Sequence, residues 1–411
     1  MVKMASKLSF GPLMADWQER VNIPRLREER AERARRIMKK HGISAILASE
    51  LPSIRYLTGL RVAPLHQTTY VLFFAEHDPV MFAHAGWYQQ MPEDAPWIKN
   101  WRIARAWFSG IAGPGATSQE TKLFATEIYQ ELKERGLEKE KLAVIAIDDL
   151  GKEALKKEGL NLVPGWPMML EMRTIKTQDE ITCFKIVASM CSAAYQRVWE
   201  GLRPGITDID VTRLARNALY DVGSDAPWVA TRSGPVSFER AFYDTGRIIE
   251  PGDLLYVHLC RTQFMGYCAC IYRTFLAGRQ PTDKERGWYN KLRDRLDGVI
   301  DAIKPGATTA DAAKHFPPAS SWGYKDEAEV FTVEYGHGIG LSELYDPPII
   351  NRMWSFDHPQ EIQPGMVIAV ESLEGEHRVG GVRLENMLVV TETGTEIIDH
   401  FPRDEILVAG I

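Results

Sequence analysis

The side chains best suited to chemistry lie inside apolar segments of the C-terminal half of the chain. Glu371 occurs in VIAVES and Glu385 in VRLENMLVV, and both segments have the apolar, β-branched composition of buried strands. Two carboxylates on neighbouring strands repel each other unless a cation, a proton or a cationic substrate lies between them. His258 and Cys270 occur in two further strand-like segments, and His337 lies between glycines that allow a close approach. Because buried polar groups must be paired or functional, these residues predict a site.

Three cysteines, Cys260, Cys268 and Cys270, fall within one short stretch. A free cysteine is commonly a small buried hydrophobe, which is the interpretation for Cys268. Strand alternation places Cys268 and Cys270 on one face, and Cys260 with His258, unless a bulge intervenes. For Cys270 the alternatives are packing, metal ligation, or nucleophilic attack after activation by His258 or His337.

Further residues are candidates for substrate binding. Arg383 precedes Glu385 by two positions and is expected on the same strand face, where an ion pair and a substrate clamp are equal alternatives. Tyr272 follows Cys270 by two positions, so strand alternation favours a place in the pocket for its side chain. The remaining candidates, which would line or gate the mouth of the pocket, are Glu343, Tyr345 and Phe242.

Composition restricts the class of protein. The 411 residues are 45% hydrophobic and 25% charged, which is enough apolar material for a full core. A net charge of −6 with interspersed signs gives no reason to expect nucleic acid as a partner. No apolar run approaches the ~18 residues of a membrane span. Five cysteines, an odd number, argue against a disulfide framework and for a reducing compartment, so we expect a soluble cytoplasmic protein.

The elements that position the site residues fall into two regions. Residues 1–167 show short apolar strands between helical patterns, which is typical of an α/β domain, and a Pro/Gly/Trp stretch closes it. Thr117 and Glu120 have capping-box spacing and predict a helix from there to about Arg135. The other elements predicted here are a helix over 25–41 and strands over 44–49, 70–75, 79–83 and 142–147.

Residues 168–411 are predicted to form a second domain with an internal repeat. Capping boxes at Thr177 and Thr282 predict two long helices. Each helix is followed by a Pro-Gly stop and a threonine N-cap, at Thr207 and at Thr308. Two such phrases in register favour a duplicated helix–helix–strand unit with pseudo-two-fold symmetry over ordinary helix–turn–helix punctuation. Paired strands are predicted over 252–260 with 266–278 and over 366–372 with 381–390.

From about Arg25 to its C-terminus the chain resembles the pita-bread superfamily, which includes creatinase, prolidase and the methionine and Xaa-Pro aminopeptidases. The resemblance is carried by the segments KKHGISAILASELPSIRYLTGL, RTIKTQDEI, YGHGIGL, QPGMVIAVES and GVRLENMLVVTETG. It implies a creatinase/prolidase-like α/β domain followed by a pseudo-two-fold α+β pita-bread domain. It also implies a homodimer.

The same resemblance implies site residues. Metallopeptidases of this superfamily hold two divalent metals with two Asp, one His and two Glu. The His position matches His337, and the two Glu positions match Glu371 and Glu385. These three residues are therefore the expected centre of the site.

Both Asp positions are changed. The second Asp falls on Cys270, which favours the pocket for that thiol. The first falls at about His258 or Leu259, with Cys260 next in line. A second His of the peptidases falls on Leu344, and another falls at residue 241 or 242. Two oxygen-bridged hard metals need a full set of carboxylates, so the usual dimetal centre is not expected.

Four functions follow for such a site. We expect first the hydrolysis of a C–N bond in a small polar metabolite without metal, as in creatinase and ectoine hydrolases. Glu371 and Glu385 would bind a cationic group, and His258 or His337 would act as acid and base. The second is a lyase or hydrolase that resembles dimethylsulfoniopropionate lyase and holds one zinc or iron ion by these four residues and Cys270. The others are a non-catalytic binding module and a true Xaa-Pro aminopeptidase or prolidase.

Overall fold

The computed structural model describes residues 20–61, 69–107, 110, 112–240, 243–330, 335–341 and 345–411. The chain divides into two compact units, Ile23–Arg173 and Thr174–Ile411. Asn22 belongs to the second unit and its amide donates to Asp179 Oδ1 at 3.0 Å. The boundary between the units follows the helix Trp166–Thr174, whereas the Pro/Gly/Trp stretch predicts it at residue 167.

The first unit is built around one mixed sheet. Its strands are β1 (Ala45–Ala48), β2 (Tyr70–Phe74), β3 (Val80–Ala83), β4 (Asn100–Ile103), β5 (Lys141–Ile145) and β6 (Asn161–Pro164). They lie in the order β4-β3-β2-β1-β5-β6. The helices are Ile23–Lys40, Leu51–Thr58, Met91–Asp94, Pro114–Lys133, Asp149–Lys157 and Trp166–Thr174. The strands β1, β2 and β3 are buried throughout, as their continuous apolar runs predict.

The predicted capping box at Thr117 and Glu120 is wrong. The helix begins one turn earlier, at Pro114, with Gly113 at the N-cap. Proline is favoured in the first helical turn because its missing N–H would have no partner there. Thr117 instead lies inside the helix, where its amide donates to Gly113 O at 2.9 Å.

The second unit contains two sheets. The strands of one are β7 (Ala230–Ser233), β8 (Leu254–Phe264), β9 (Tyr267–Ala277) and β15 (Leu407–Ala409), in the order β15-β9-β8-β7. Those of the other are β10 (Gly336–Gly338), β11 (Asp346–Ile350), β12 (Val367–Glu376), β13 (Gly380–Val390) and β14 (Thr395–Ile397), in the order β11-β10-β12-β13-β14. The described helices are Gln178–Gly201, Asp208–Asp221, Asp283–Ala302, Thr309–Ala313 and Arg352–Asp357.

The predicted capping boxes of the second unit are confirmed. Thr177 and Thr282 begin the helices Gln178–Gly201 and Asp283–Ala302, and each threonine oxygen accepts from the amide three residues later. Thr207 caps the helix Asp208–Asp221 in the same way. At Thr308, the N-cap of the helix Thr309–Ala313, the Asp311 carboxylate accepts from the Thr308 amide at 2.9 Å. A local sequence signal therefore fixes the start of each helix.

The repeated phrase also makes the same backbone contacts in both copies. Gly205 N donates to Ile249 O at 2.8 Å, and Gly306 N donates to Ile362 O at 3.1 Å. Each isoleucine comes shortly before one of the two long hairpins, β8–β9 or β12–β13. The pseudo-two-fold organisation thus brings the hairpins that carry the site residues to equivalent positions.

Strand alternation separates the core from the site. Ile368 and Val370 on β12 pack in the same apolar cluster as Leu292 and Leu296 of the helix Asp283–Ala302. Residues at alternate positions point to the other face of the sheet. Glu371 on β12 and its cross-strand partner Glu385 on β13 therefore lie on the face away from that helix.

Within the described ranges, no helix has the length and apolar character needed to cross a membrane.

Candidate functional site

The site residues come from both sheets of the second unit. β8 carries His258 and Cys260, and β9 carries Cys270. β10 carries His337, and Glu385 lies on β13. His258, Cys260 and Cys270 are close in the sequence, whereas His337 and Glu385 come from the other sheet, so the two sheets together form the site.

A bulge in β8 sets which side chains meet. Leu254–Cys260 pair with Cys270–Leu276 without interruption, and the register then shifts between Cys260 and Thr262. The extra residue is Arg261, an exposed side chain with φ of 56°. The shift leaves Cys260 directly opposite Cys270.

The first group of donor atoms comes from His258, Cys260 and Cys270, whose ligand atoms all lie within 4.8 Å of one another. His258 Nε2 lies 3.4 Å from Cys270 Sγ. The Cys270 thiol lies 3.2 Å from Cys260 Sγ. His258 thus occupies the site. Its alternative Leu259 is the next residue of β8, so its side chain points to the opposite face of the strand.

A second group shares Cys270 with His337 and Glu385. His337 Nε2 lies 3.8 Å from Glu385 Oε1, and His258 Nε2 lies 3.9 Å from Glu385 Oε2. Glu385 is therefore held between two imidazoles. Its carboxylate is fully buried, and neither oxygen accepts a hydrogen bond of ordinary geometry from the described residues.

Glu371 completes a pair of acids. It lies directly opposite Glu385 in the β12–β13 register, so the two side chains share a face. Burial raises the pKa of Glu385 well above its ordinary value, and repulsion from Glu371 adds to the rise. Glu371 belongs to neither group of donor atoms found among the described residues.

The pKa values of the two thiols shift in opposite directions. The hydrogen bond from Cys270 lowers the pKa of Cys260 well below its ordinary value, against the effect of burial, and His258 adds to the fall. The same hydrogen bond, followed by burial, raises the pKa of Cys270. Within the pair, Cys270 is therefore the hydrogen-bond donor and Cys260 the acceptor.

Aromatic rings hold both imidazoles in place. Tyr272 stacks on His258 with ring centroids 3.7 Å apart, and Trp228 meets the same imidazole edge-on at 5.5 Å. Tyr345 stacks on His337 at 3.9 Å. Two of the predicted substrate contacts, Tyr272 and Tyr345, thus lie against the candidate catalytic histidines.

Arg383 is also part of this region. Its guanidinium lies 5.1 Å from the ring centre of Tyr256 and 5.6 Å from that of Tyr272. Its Nη2 donates to Phe238 O at 3.2 Å. Arg383 is nearly buried and shares a face of β13 with Glu385, the position that strand parity predicts.

Some predicted residues cannot be placed. Phe242 and Glu343 lie outside the described residues, as does Leu344. Cys268 lies outside both donor groups, and its thiol donates to Gly266 O at 3.8 Å.

Sequence reasoning placed Cys260 next to the first Asp position but left it out of the expected metal ligands. Its parity with His258 was the available signal. The bulge that sets it opposite Cys270 depends on strand pairing and leaves no simple mark in the sequence.

Comparison with known proteins identifies the family. Residues 182–392, about half of the chain, match metallopeptidase family M24, and residues 30–175 match the creatinase/prolidase N-terminal domain. The chain belongs to metallopeptidase family M24. This membership and the two-domain architecture agree with the pita-bread fold that the sequence motifs predict.

The M24 relatives include peptidases and a lyase. The uncharacterized peptidase YqhT of Bacillus subtilis (strain 168) is 30% identical over 250 residues, which cover 60% of this chain and 68% of YqhT. The dimethylsulfoniopropionate lyase DddP of Roseovarius nubinhibens is 26% identical over 303 residues, covering 69% and 65%. The solved structure of an Xaa-Pro dipeptidase from Bacillus anthracis superposes with a TM-score of 0.74 at 24% identity, covering 93% of this chain and 99% of that one.

M24 enzymes use metal ions, usually two, so the donor set can be tested against that requirement. Two bridged hard ions need carboxylates, but this chain has His258 and Cys270 at the positions expected to carry Asp. The donor groups are rich in sulfur and imidazole and centre on Cys270. These residues do not fit a pair of hard ions, but their chemistry fits one softer ion such as zinc or iron.

Proposed function

We propose that this M24 protein is a prolidase-like hydrolase that cleaves the C–N bond of a small amide, with Xaa-Pro dipeptides as the first substrate class. The carrying observation is that His337, Glu371 and Glu385, the residues of the resemblance, converge in one buried site. Non-peptide C–N hydrolysis without metal was the first expectation from sequence. The relatives favour the peptidase alternative, since YqhT and the Bacillus anthracis protein carry peptidase names.

The proposed roles follow from position. Glu371 is the acid/base that takes a proton from water and passes it to the leaving nitrogen. His337, whose Nε2 lies 3.8 Å from Glu385 Oε1, orients the substrate carbonyl. Arg383 binds an anionic group of the substrate, since a guanidinium matches a carboxylate.

A bound ion would supply Lewis-acid polarisation of the carbonyl and a lower pKa for water. The residues that would hold it are the donor atoms of His258, Cys260 and Cys270, with Glu385 beside them. The proposed roles of Glu371, His337 and Arg383 are assigned independently of this ion.

The test is hydrolysis of Xaa-Pro dipeptides by the full chain supplied in separate assays with zinc, iron(II), manganese or chelator. Dipeptides without proline and creatine serve as comparison substrates. We expect kcat/KM for an Xaa-Pro dipeptide to exceed that for its proline-free analogue by about tenfold or more. Turnover of creatine but of no dipeptide would support non-peptide C–N hydrolysis instead. The absence of turnover of any amide would refute the hydrolase proposal.

A pair of variants tests the acid/base. Glu371→Gln is expected to lower kcat by about 10²–10⁴-fold, because it removes proton transfer and keeps the size of the side chain. Glu392→Gln is the matched control, since Glu392 is exposed and follows β13. Equal activities of the two variants would leave Glu371 without a catalytic role.

A lyase is the second candidate. Two observations favour it: the similarity to DddP and a sulfur-containing donor set that differs from the carboxylates of the peptidases. Release of acrylate from dimethylsulfoniopropionate, with no hydrolysis of dipeptides, is the result expected of a lyase.

We also propose a homodimer, as the family resemblance implies. Light scattering on the purified chain should give about twice the 46.5 kDa of one chain. A mass of one chain at micromolar concentration would contradict it.

A further inference from the structure

The donor atoms on β8 and β9 are two sulfurs and one imidazole nitrogen, which suit a different metal site from one with two carboxylate-bridged ions. We infer that His258, Cys260 and Cys270 bind a single zinc-class ion through one imidazole and two thiolates. This inference deepens the proposed function. The catalytic use of the ion rests on that function, whereas the binding of the ion does not. Two of its ligands, His258 and Cys270, stand where the resemblance expects Asp, and the third, Cys260, lies outside the expected ligand positions.

The distances between the donor atoms fit tetrahedral zinc. Zn–S bonds of about 2.3 Å and Zn–N bonds of about 2.0–2.1 Å imply an S···S separation of about 3.8 Å and an S···N separation of about 3.6 Å. The structure has Cys260 Sγ and Cys270 Sγ 3.2 Å apart, and His258 Nε2 and Cys270 Sγ 3.4 Å apart. Both separations are a few tenths of an ångström shorter than the ligand spacing, so binding of the ion would move the two sulfurs apart.

The surroundings also favour a divalent cation. Glu385 is fully buried, lies 3.9 Å from His258 Nε2 and accepts no hydrogen bond of ordinary geometry from the described residues. Glu371 lies opposite it in the β12–β13 register. Buried carboxylates beside two cysteines are stabilised by a nearby positive ion.

The strand architecture holds this ligand set in place. The bulge at Arg261 sets Cys260 opposite Cys270, so both sulfurs point to the same face of the hairpin. Tyr272 stacks on His258 and fixes the plane of its ring. Three protein ligands leave a fourth position for water or substrate, which is the arrangement of catalytic zinc sites.

The experiment measures metal binding directly. The full chain, reduced and stripped with chelator, is reconstituted with zinc and separately with cobalt(II). We expect one zinc per chain by elemental analysis and a thiolate-to-cobalt charge-transfer absorption in the near ultraviolet. Two ions per chain, no bound ion, or a cobalt spectrum without that absorption would overturn the inference.

Cysteine variants identify the ligands. Cys260→Ser and Cys270→Ser are each expected to weaken zinc binding by about 100-fold or more and to weaken the charge-transfer band. Cys268→Ser is the matched control, because Cys268 is buried on the same strand and lies outside both donor groups. Unchanged affinity in both ligand variants would refute the assignment. Circular dichroism checks folding, and the wild-type cobalt spectrum tests the inference even if a variant does not fold.

The outcomes separate this inference from the proposed function. A thiolate-bound ion without turnover of any amide leaves the metal site standing and refutes the hydrolase. Full turnover by metal-free protein supports the hydrolase and removes the catalytic use of the ion. A Cys260–Cys270 disulfide that persists after reduction would exclude the thiolate site.

Discussion

Replacing Arg273 with methionine should strongly destabilise the second unit. Arg273 is fully buried and its guanidinium joins β9 to β13 by donating to Glu385 O at 2.7 Å. It also donates to Asp399 Oδ2 at 2.6 Å, and to the backbone oxygens of Phe401 at 3.0 Å and Pro402 at 3.1 Å. Burial lowers the pKa of Arg273, but the attractions of Asp399, Tyr195 and Tyr289 together outweigh that effect and the net shift is upward.

The magnitude follows from what the substitution leaves behind. Methionine fills much of the volume of Arg273 but leaves Asp399 buried and charged without its cation. Breaking a buried ion pair from one side costs about 3–5 kcal/mol. Arg286→Met is the matched control, because Arg286 is exposed and its bond to Asp283 at 3.0 Å is an i,i+3 surface pair. That control should cost about 0.5 kcal/mol or less.

The assay must report on the second unit alone, since a chain with two compact units need not unfold in one step. Hydrogen exchange across a urea series, read by mass spectrometry of peptides from β9 and β13, meets this need. Arg273→Lys should fall between wild type and Arg273→Met, because it keeps the charge and loses the planar fork. A loss in Arg273→Met no larger than in Arg286→Met would refute the reasoning.

Four other substitutions give distinct expectations. Gly340→Ala should destabilise the second unit by more than about 3 kcal/mol in the same exchange assay, because the added Cβ would fall 1.6 Å from Asp346 Oδ2, a buried carboxylate paired with a lysine. Gly287→Ala, at an exposed helical position where the added Cβ meets nothing within 4 Å, should instead stabilise by about 0.5–1 kcal/mol. Equal effects of the two substitutions would contradict the steric argument. Thr177→Ala should cost about 1 kcal/mol by loss of the N-cap, and an unchanged urea midpoint would show that the cap is dispensable. Cys270→Asp should shift metal preference from zinc toward manganese in competition dialysis, because it replaces a soft donor with a hard one, and an unchanged preference would argue against a thiolate ligand.

Much of the fold could be predicted because its signals are local. The capping boxes at Thr177 and Thr282 start helices where the sequence indicates, since cap and helix are adjacent in the chain. Thr117 has the same spacing and fails, because Gly113 and Pro114 provide an earlier start. A local signal therefore predicts the start of a helix correctly where no competing start signal lies nearby.

The candidate site could be predicted by residue but not by geometry. His337, Glu371 and Glu385 are identifiable in the sequence because polar residues in apolar strands need partners. Their convergence depends on the order of the strands within each sheet and on the contacts between β9 and β13.

Sequence alone determined the family and the two-domain architecture, and it placed the expected metal-binding Asp residues at Cys270 and at about His258 or Leu259. Only the tertiary structure decided that Cys260 joins His258 and Cys270, because the bulge at Arg261 changes which residues of β8 and β9 face each other. Register is a property of two paired strands and cannot be read from one of them. The spacing of residues thus indicated the chemistry, and strand pairing decided which donor atoms come within reach of a single ion.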